Sequence, residues 1–382
     1  MAEAAKGRGA RSNASGRFEP ETVEAFDDGW TGDDVEAAPL RTTLTPEHAR
    51  TIIARNTSPD IGFDRSINPY KGCEHGCIYC YARPSHAFMG LSPGLDFESR
   101  LFFKPEAARL LEQAFTRPRY ACKRIHIGGN TDPYQPVERE LNSTRSILEV
   151  MQRFRHPFSI ITKSVLIARD ADILGPMGRA GLASACVSIT TLDRGLARAM
   201  EPRASTPAKR LEAIRRLADA GCPVCVGFAP VIPGLNDHEL ESVLEAASKA
   251  GATSAMYVTL RLPLEIKDLF REWLADARPD RAARVMSLIR QTRGGKDYDA
   301  DWSQRMKGTG PVAELIAARF KAAVKRYGLD APHRPVDETQ FRVPADMRKQ
   351  MDLFDAPHSA PSPLSGEGGS RSETDGGLPD AA

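Results

Sequence analysis

The sequence has no long hydrophobic run. No stretch of its 382 residues approaches the run of about 18 consecutive apolar residues that indicates a membrane-spanning helix. The polar segment Met1–Arg17 also lacks the apolar core of a secretory signal peptide. We therefore expect a cytoplasmic protein that has no membrane partner.

The chain has few cysteines and a small net charge. The chain has seven cysteines, an odd number that is low for its length, so a disulfide framework is disfavoured and a reducing compartment is favoured. A formal net charge of +2 gives no general attraction to nucleic acid. With 41% hydrophobic residues the chain can still bury a large core, as one α/β unit or as two or three domains.

Three of the cysteines are clustered. Cys73, Cys77 and Cys80 follow one another with the spacing C-x3-C-x2-C, and Gly72 and Gly76 give the backbone the freedom to curl. Three thiolates this close in sequence can reach three corners of one compact metal centre. Cysteine is the usual ligand of iron–sulfur clusters, which normally take four of them. A cluster held by only three cysteines would leave one iron open to another molecule.

Two other interpretations of these cysteines stay open at this point. A zinc site of the Cys3His type needs one histidine more, and both His75 and His86 are near in sequence. The protein would then be a binding module in which the metal holds a loop. An iron–sulfur electron-transfer protein is the second alternative. Metal analysis separates zinc from iron, and cofactor cleavage separates an enzyme from an electron carrier.

Short hydrophobic runs alternate with amphipathic segments in the middle of the chain. Near-continuous hydrophobic runs are typical of parallel strands that helices cover on both faces. Alternation of such strands with helices predicts an α/β fold, here a partial TIM-type (β/α)6 barrel over residues 41–275. The strand candidates are residues 62–68, 124–129, 158–163, 185–190, 224–229 and 254–260, with helical patterns at 141–154, 207–220 and 237–250.

The remaining segments have different compositions. Residues 1–40 and most of 336–382 are predicted to be disordered tails, and residues 276–335 a helical, basic extension. Within that extension, arginines and lysines between Arg284 and Tyr327 are interleaved with Tyr298 and Trp302, which makes nucleic acid a candidate partner. A solvated helix face would have the same charge pattern.

Polar residues follow the predicted strands at the end where barrel enzymes carry their active sites. Thr131 and Asp132 come after the second strand, Lys163 ends the third, Ser188 lies in the fourth, and Arg203 follows it. Lysine and arginine at such a rim can pair with a carboxylate. We expect these five residues to meet the cysteine loop at one end of the barrel.

The cysteine run, with Tyr79 directly before Cys80, resembles the signature of the radical S-adenosylmethionine superfamily. The turn Thr131-Asp-Pro-Tyr-Gln-Pro136 and the strand end Thr162-Lys-Ser164 make the chain look like the spore photoproduct lyase-like branch of that superfamily. The likeness covers roughly residues 60–270.

This resemblance implies a cofactor set and a site. The three cysteines would hold a [4Fe–4S] cluster whose open iron binds S-adenosylmethionine, with an external electron donor of the flavodoxin or ferredoxin type. Reductive cleavage would then yield a radical that abstracts hydrogen from a substrate. The resemblance places Tyr79 beside the adenine of the cofactor and Tyr81 along the site. It assigns cofactor binding to Tyr79, Thr131, Asp132, Lys163, Ser188 and Arg203.

One departure from the branch concerns the reaction. The lyase has a hydrogen-donating cysteine at the end of its second strand, whereas Gly128–Asp132 contains none. We therefore predict cleavage of S-adenosylmethionine and hydrogen abstraction from an unidentified substrate, with little or no photoproduct repair. Tyr79 and Tyr81 stay as candidate catalytic residues that relay a radical.

The other cysteines are interpreted as core residues. Cys222 and Cys225 form a C-x2-C pair, but they open a predicted buried strand, and free cysteine packs well in cores. Cys122 and Cys186 are interpreted in the same way.

Overall fold

A computed structural model describes residues 7–19, 40–331 and 336–347 of the chain. The strands are β1 (Thr43–Pro46), β2 (Ile53–Arg55), β3 (Arg65–Ile67), β4 (Tyr70–Lys71), β5 (Arg100–Phe103), β6 (Ile125–Ile127), β7 (Phe158–Thr162), β8 (Ala183–Ser188), β9 (Val224–Val231) and β10 (Ser254–Thr259). The α-helices are α1 (Asp96–Ser99), α2 (Ala107–Phe115), α3 (Glu138–Leu141), α4 (Ser143–Arg153), α5 (Ala171–Arg179), α6 (Arg194–Met200), α7 (Pro207–Asp219), α8 (Leu240–Lys249), α9 (Ile266–Ala277), α10 (Pro279–Gln291) and α11 (Gly310–Arg326).

The main sheet confirms the predicted α/β partial barrel. Its strand order is β10-β9-β8-β7-β6-β3-β2, and the pairs from β3 to β10 are all parallel. Each of these six strands lies within or overlaps a predicted strand. Strand β2 adds an antiparallel edge, and β1, β5 and β4 form a small second sheet. These four short strands carry too little periodicity to be predicted from the sequence.

The two faces of the main sheet differ in burial. On β8, Ala183, Ala185 and Val187 are almost fully buried and belong to the core shared with the surrounding helices. The alternating residues Ser184 and Cys186 are only half-buried. Because successive side chains of a strand point to opposite faces, these residues face the interior of the barrel. The hydrophobic core therefore lies between the sheet and its helices, and the barrel interior is more polar and partly open.

The C-terminal helices complete the outer layer. Helix α11 packs across β10 and α8, with the rings of Phe320 and Tyr257 4.6 Å apart. Arg319 of α11 donates two hydrogen bonds to Glu241 of α8, at 2.8 and 2.6 Å. The helical character predicted for residues 276–335 is confirmed in α10 and α11. Among the described residues no helix is long and apolar enough to span a membrane.

The structure differs from the expectation of disorder at residues 7–19. Arg8 and Ala10 are buried, and the backbone N–H groups of Gly9 and Ala10 each donate to the Glu98 carboxylate at 2.8 Å. The small residues permit this approach, since a Cβ on Gly9 would lie 1.7 Å from the Gly76 carbonyl oxygen. The prediction of a disordered tail was based on composition. Composition does not show that the hydrogen-bonding partners of this segment lie about 90 residues away in the sequence.

The described part of the second predicted tail is also packed. Phe341 lies against Phe115 and Tyr120, with ring centroids 5.7 and 5.4 Å away. The rest of the predicted tails, residues 1–6, 20–39 and 348–382, lies outside the described residues.

Candidate active site

The cysteine loop leaves the carboxyl end of β3 through the short strand β4, as predicted. Gly72 and Gly76 adopt φ values of +76° and +66°, the left-handed region that glycine tolerates best. A Cβ on Gly76 would also lie 2.6 Å from a carboxylate oxygen of Glu98. Both glycines are therefore required for the curled path of the loop.

A fully buried ion pair supports the cysteine loop. Arg83 pairs with Glu98, and both side chains have no exposed surface. Arg83 also donates to the carbonyl oxygens of Cys77 at 2.9 Å and Gly76 at 3.2 Å. The guanidinium thus satisfies loop carbonyls that would otherwise be buried without partners. Sequence reasoning missed this pair, although Arg83 stands three residues after the last cysteine.

The three thiols lie close enough to influence one another. Cys73 and Cys77 are buried and Cys80 is half-buried. Burial raises the pKa of Cys73 well above its ordinary value, and the charges of Asp132, Cys77 and Cys80 raise it further. Burial also raises the pKa of Cys77 to about 12. Three closely spaced sulfurs whose thiolates repel each other suit a cationic centre, which relieves that repulsion on binding.

Lys163 lies at the centre of the site. It follows the last residue of β7, and its Nζ is 5.8 Å from the centroid of the Tyr79 ring. Burial raises the pKa of Cys77 and of Cys80, and the positive charge of Lys163 opposes that rise. The same charge helps Arg210 to lower the pKa of Glu201. The ammonium group is therefore shared between the cysteine loop and the neighbouring strand ends, where it can meet an anionic ligand.

Tyr79 is held by a buried polar network. Its hydroxyl donates to Glu201, which also accepts a 2.6 Å hydrogen bond from Thr190. Glu201 is ion-paired with the buried Arg210. Burial alone would raise the pKa of Glu201, but Arg210 and then Lys163 lower it to about 2. The Tyr79 ring is thus held beside the cysteine loop by the Glu201 carboxylate, which stays ionised. Sequence reasoning missed this role of Glu201.

Thr131 and Asp132 lie at the predicted rim, yet their side chains are used to build it. Asp132 accepts hydrogen bonds from the Thr162 hydroxyl at 2.6 Å and from the Lys163 amide at 2.8 Å. Thr131 donates to the carbonyl oxygen of Tyr70 at 2.8 Å. Asp132 lies 3.2 Å from His75 Nδ1 as well, so it connects β7 to the cysteine loop. These contacts position Lys163 and the loop relative to each other.

The remaining predicted residues occupy two different surroundings. Ser188 is buried at the carboxyl end of β8, and its carbonyl accepts from Arg210 at 3.0 Å. Arg203 is partly exposed and pairs with the buried Glu74 at 3.0 Å. Arg203 therefore forms an ion pair with a carboxylate of the cysteine loop, at the edge of that loop.

Tyr81 lies at the mouth of the barrel. Its side chain is 44% exposed, its hydroxyl donates to the Gly129 carbonyl, and the guanidinium carbon of Arg261 lies 4.9 Å from its ring centroid. This geometry is typical of a cation–π pair. The exposed Tyr81 and the half-buried Arg261 together form an aromatic and cationic surface next to Cys80.

The two histidines considered as zinc ligands have other surroundings. His86 is fully buried, its Nε2 lies 2.9 Å from the carbonyl oxygen of Arg100, and burial lowers its pKa to about 4. His75 lies beside Asp132. Within the described part of the chain, no group of three or more Cys, His, Asp or Glu side chains is preformed to ligate one metal ion.

Much of the positive charge between Arg284 and Tyr327 is paired within the protein. Arg305 donates to Asp60 at 2.5 and 2.6 Å, and Arg290 donates to Asp297 at 2.8 Å. The buried Arg293 donates to backbone carbonyls, including that of Leu260 at 2.7 Å. The segment is therefore less available to a polyanion than its composition indicates.

The fold and this site define an α/β partial barrel enzyme with a three-cysteine loop at the carboxyl ends of its parallel strands. Comparison with known proteins identifies the class further. Residues 67–247 match the family model described as the radical SAM superfamily. An uncharacterised protein of Mycobacterium tuberculosis is 31% identical over 280 residues, which cover 72% of this chain and 77% of the relative. An uncharacterised protein of Methanocaldococcus jannaschii is 28% identical over 173 residues, 45% of this chain and 62% of that protein.

Among solved structures, spore photoproduct lyase complexed with dinucleoside spore photoproduct superposes with a TM-score of 0.50 at 14% identity, covering 74% of this chain and 79% of the lyase. At this identity the likeness concerns the fold. The chain belongs to the radical SAM superfamily, and it is a radical SAM enzyme. Membership of the superfamily supports S-adenosylmethionine-dependent radical chemistry, with a cluster, S-adenosylmethionine and an electron donor as the class requires.

Proposed function

We propose that Cys73, Cys77 and Cys80 hold a [4Fe–4S] cluster and that S-adenosylmethionine binds beside it at the carboxyl ends of the strands. The observation that supports this proposal is the convergence of three thiols, two buried and one half-buried, with the Lys163 ammonium group. When bound, these cofactors supply reductive cleavage of the sulfonium and a 5′-deoxyadenosyl radical that abstracts hydrogen from a substrate.

Residues of the protein would bind the cofactor, line its pocket and hold the cysteine loop in place. Lys163 offers a cation to the carboxylate of the methionyl part, and Glu201 and Arg210 hold the Tyr79 ring as a wall of the pocket. Asp132 fixes the backbone of Lys163 relative to the loop. Ser188 borders the same pocket from β8, whereas Thr131 and Arg203 act mainly by holding the loop.

Replacement of Lys163 by alanine tests the assignment of the cofactor site. A charged hydrogen bond lost from a closed site costs roughly 1.5–3 kcal/mol, or about ten- to a hundredfold in affinity. We expect Lys163→Ala to weaken S-adenosylmethionine binding by this factor, measured by calorimetry on the anaerobically reconstituted protein, while the absorbance of the cluster is retained.

Lys209→Ala is the matched control, because Lys209 is exposed on α7 and pairs with Glu212 at 2.7 Å. Unchanged binding in Lys163→Ala would remove Lys163 from the site. Reductive cleavage itself is measured as 5′-deoxyadenosine formed by the reconstituted wild-type protein with dithionite. No 5′-deoxyadenosine under these conditions would contradict the proposed function.

For the substrate, nucleic acid is the class that we propose. The exposed Tyr81 ring with Arg261 above it offers a stacking surface and a cation at the barrel mouth, as single-stranded nucleic acids require. The fold neighbour complexed with dinucleoside spore photoproduct is consistent with that class. Gly128–Asp132 contains no thiol, so we retain the prediction of little or no photoproduct repair.

Substitution of Tyr81 by alanine tests this substrate class. Loss of one base–aromatic stack costs about 1–3 kcal/mol, so we expect binding of single-stranded DNA or RNA to weaken roughly fivefold to a hundredfold. Fluorescence anisotropy at two salt concentrations measures the effect, and affinity should fall steeply with salt. Phe88→Ala is the control, because Phe88 is also an exposed aromatic ring with an arginine over it, the guanidinium carbon of Arg17 lying 5.7 Å from its ring centroid. Absence of binding at low salt would point to a protein or small-molecule substrate.

A further inference from the structure

Two cysteines lie side by side on the interior face of the barrel. Cys186 of β8 and Cys225 of β9 are register partners in the parallel pair of these strands, and both are half-buried. Adjacent strands are about 4.8 Å apart, which is within the range of Cα separations that a disulfide spans. The sequence pairs Cys225 with Cys222, but Cys222 is buried in the core and precedes the strand. The fold therefore replaces a C-x2-C pair with a cross-strand pair.

The thiols of this pair interact with one another. The hydrogen bond to Cys225, and then burial, hold the pKa of Cys186 well above its ordinary value. The same contact lowers the pKa of Cys225. Ser254 of β10 is the register partner of Cys225, so the pair continues a row of polar side chains across three strands.

Cys186 has access to the space in which radical chemistry would take place. A Cβ on Gly227 would lie 3.3 Å from the Cys186 sulfur and 3.4 Å from the Ser188 hydroxyl oxygen, so the glycine leaves a niche over both. Lys163 acts electrostatically on Cys186 as it does on Cys77 and Cys80. The thiol of Cys186 and the cysteine loop thus both lie within electrostatic reach of one ammonium group.

We propose that the Cys186–Cys225 pair donates a hydrogen atom to a carbon-centred radical formed in the barrel interior. This inference rests on the proposed function. The S–H bond is weaker than a C–H bond, so transfer is downhill: the S–H bond of Cys186 breaks homolytically, a C–H bond forms, and a thiyl radical remains on Cys186.

The two cysteines then share the thiyl radical, and the thiol is regenerated. Cys225 can pass its own hydrogen atom to Cys186 across the strand pair, which moves the radical away from the product. One electron from the external donor that the superfamily requires and one proton from solvent restore the thiol. The alternative is that both cysteines only pack, as Cys222 does.

Deuterium incorporation distinguishes the two roles without a known substrate. Anaerobically reconstituted protein is incubated with S-adenosylmethionine and dithionite in D2O, where thiols carry deuterium, and the 5′-deoxyadenosine is analysed by mass spectrometry. We expect deuterium in the product from the wild-type protein and from Cys222→Ala. We expect most of that deuterium to be lost in the Cys186→Ser/Cys225→Ser double variant, whose hydroxyl O–H bonds are too strong to donate.

A second measurement needs neither the cofactors nor a variant. Mild oxidation of the cluster-free protein with diamide, followed by peptide mapping, should yield a disulfide between Cys186 and Cys225 rather than one between Cys222 and Cys225. A Cys222–Cys225 disulfide in its place would contradict the pairing of Cys186 with Cys225.

The outcomes separate this inference from the proposed function. Normal 5′-deoxyadenosine with undiminished deuterium in the double variant would overturn the donor role alone. No 5′-deoxyadenosine from the wild-type protein would overturn the proposed function, and the donor role would fall with it.

Discussion

The Cys73→Ala, Cys77→Ala and Cys80→Ala variants should each lose the iron–sulfur cluster, while the wild-type protein should contain about four irons per chain after anaerobic reconstitution. Each thiol would be the only protein ligand of its iron, so loss of one leaves a cluster with two protein ligands. Iron and sulfide analysis, together with the visible absorbance of the cluster, measures the effect.

Cys222→Ala is the control, because Cys222 is buried in the hydrophobic core and packs there as an apolar side chain. It should retain the full iron content. Stoichiometric zinc without iron in anaerobically purified wild-type protein would contradict the cluster and revive the zinc module.

Arg83→Ala should have the second large effect. Removal of one partner leaves the Glu98 carboxylate buried without its counter-ion, which costs about 3–5 kcal/mol. A folded domain has only about 5–15 kcal/mol of stability in total. We expect a much lower midpoint of urea unfolding in the cluster-free protein and poor incorporation of iron, since the carbonyls of Gly76 and Cys77 also lose their donor.

Lys249→Ala is the control for this experiment. Lys249 pairs with Glu245 one turn away on α8, and both side chains are well exposed, so its loss should leave unfolding unchanged. An Arg83→Ala protein with wild-type stability and full iron content would show that the buried pair does not hold the loop.

The sequence determined the elements whose signals are local. Hydrophobic runs of four to eight residues located the six parallel strands, although β8 begins two residues earlier than predicted and β9 extends to Val231. The spacing of three cysteines around two glycines located the loop. Lys163 was correctly expected at the rim because the carboxyl ends of parallel strands meet at one edge.

Only the tertiary structure decided how the candidate site is built. Sequence reasoning assigned Asp132 and Arg203 to the cofactor site, and the structure adds that their side chains contact His75 and Glu74 of the cysteine loop. Sequence reasoning singled out Arg203 at this rim and overlooked the buried Glu201, whose carboxylate anchors Tyr79.

The same holds for contacts between distant parts of the chain. Glu98 binds the N-terminal residues Gly9 and Ala10, and Cys186 pairs with Cys225. Periodicity and motif spacing report which face of its own element a residue occupies. They do not report which element lies across from that face, because that neighbour is chosen by strand order and packing over the whole sheet.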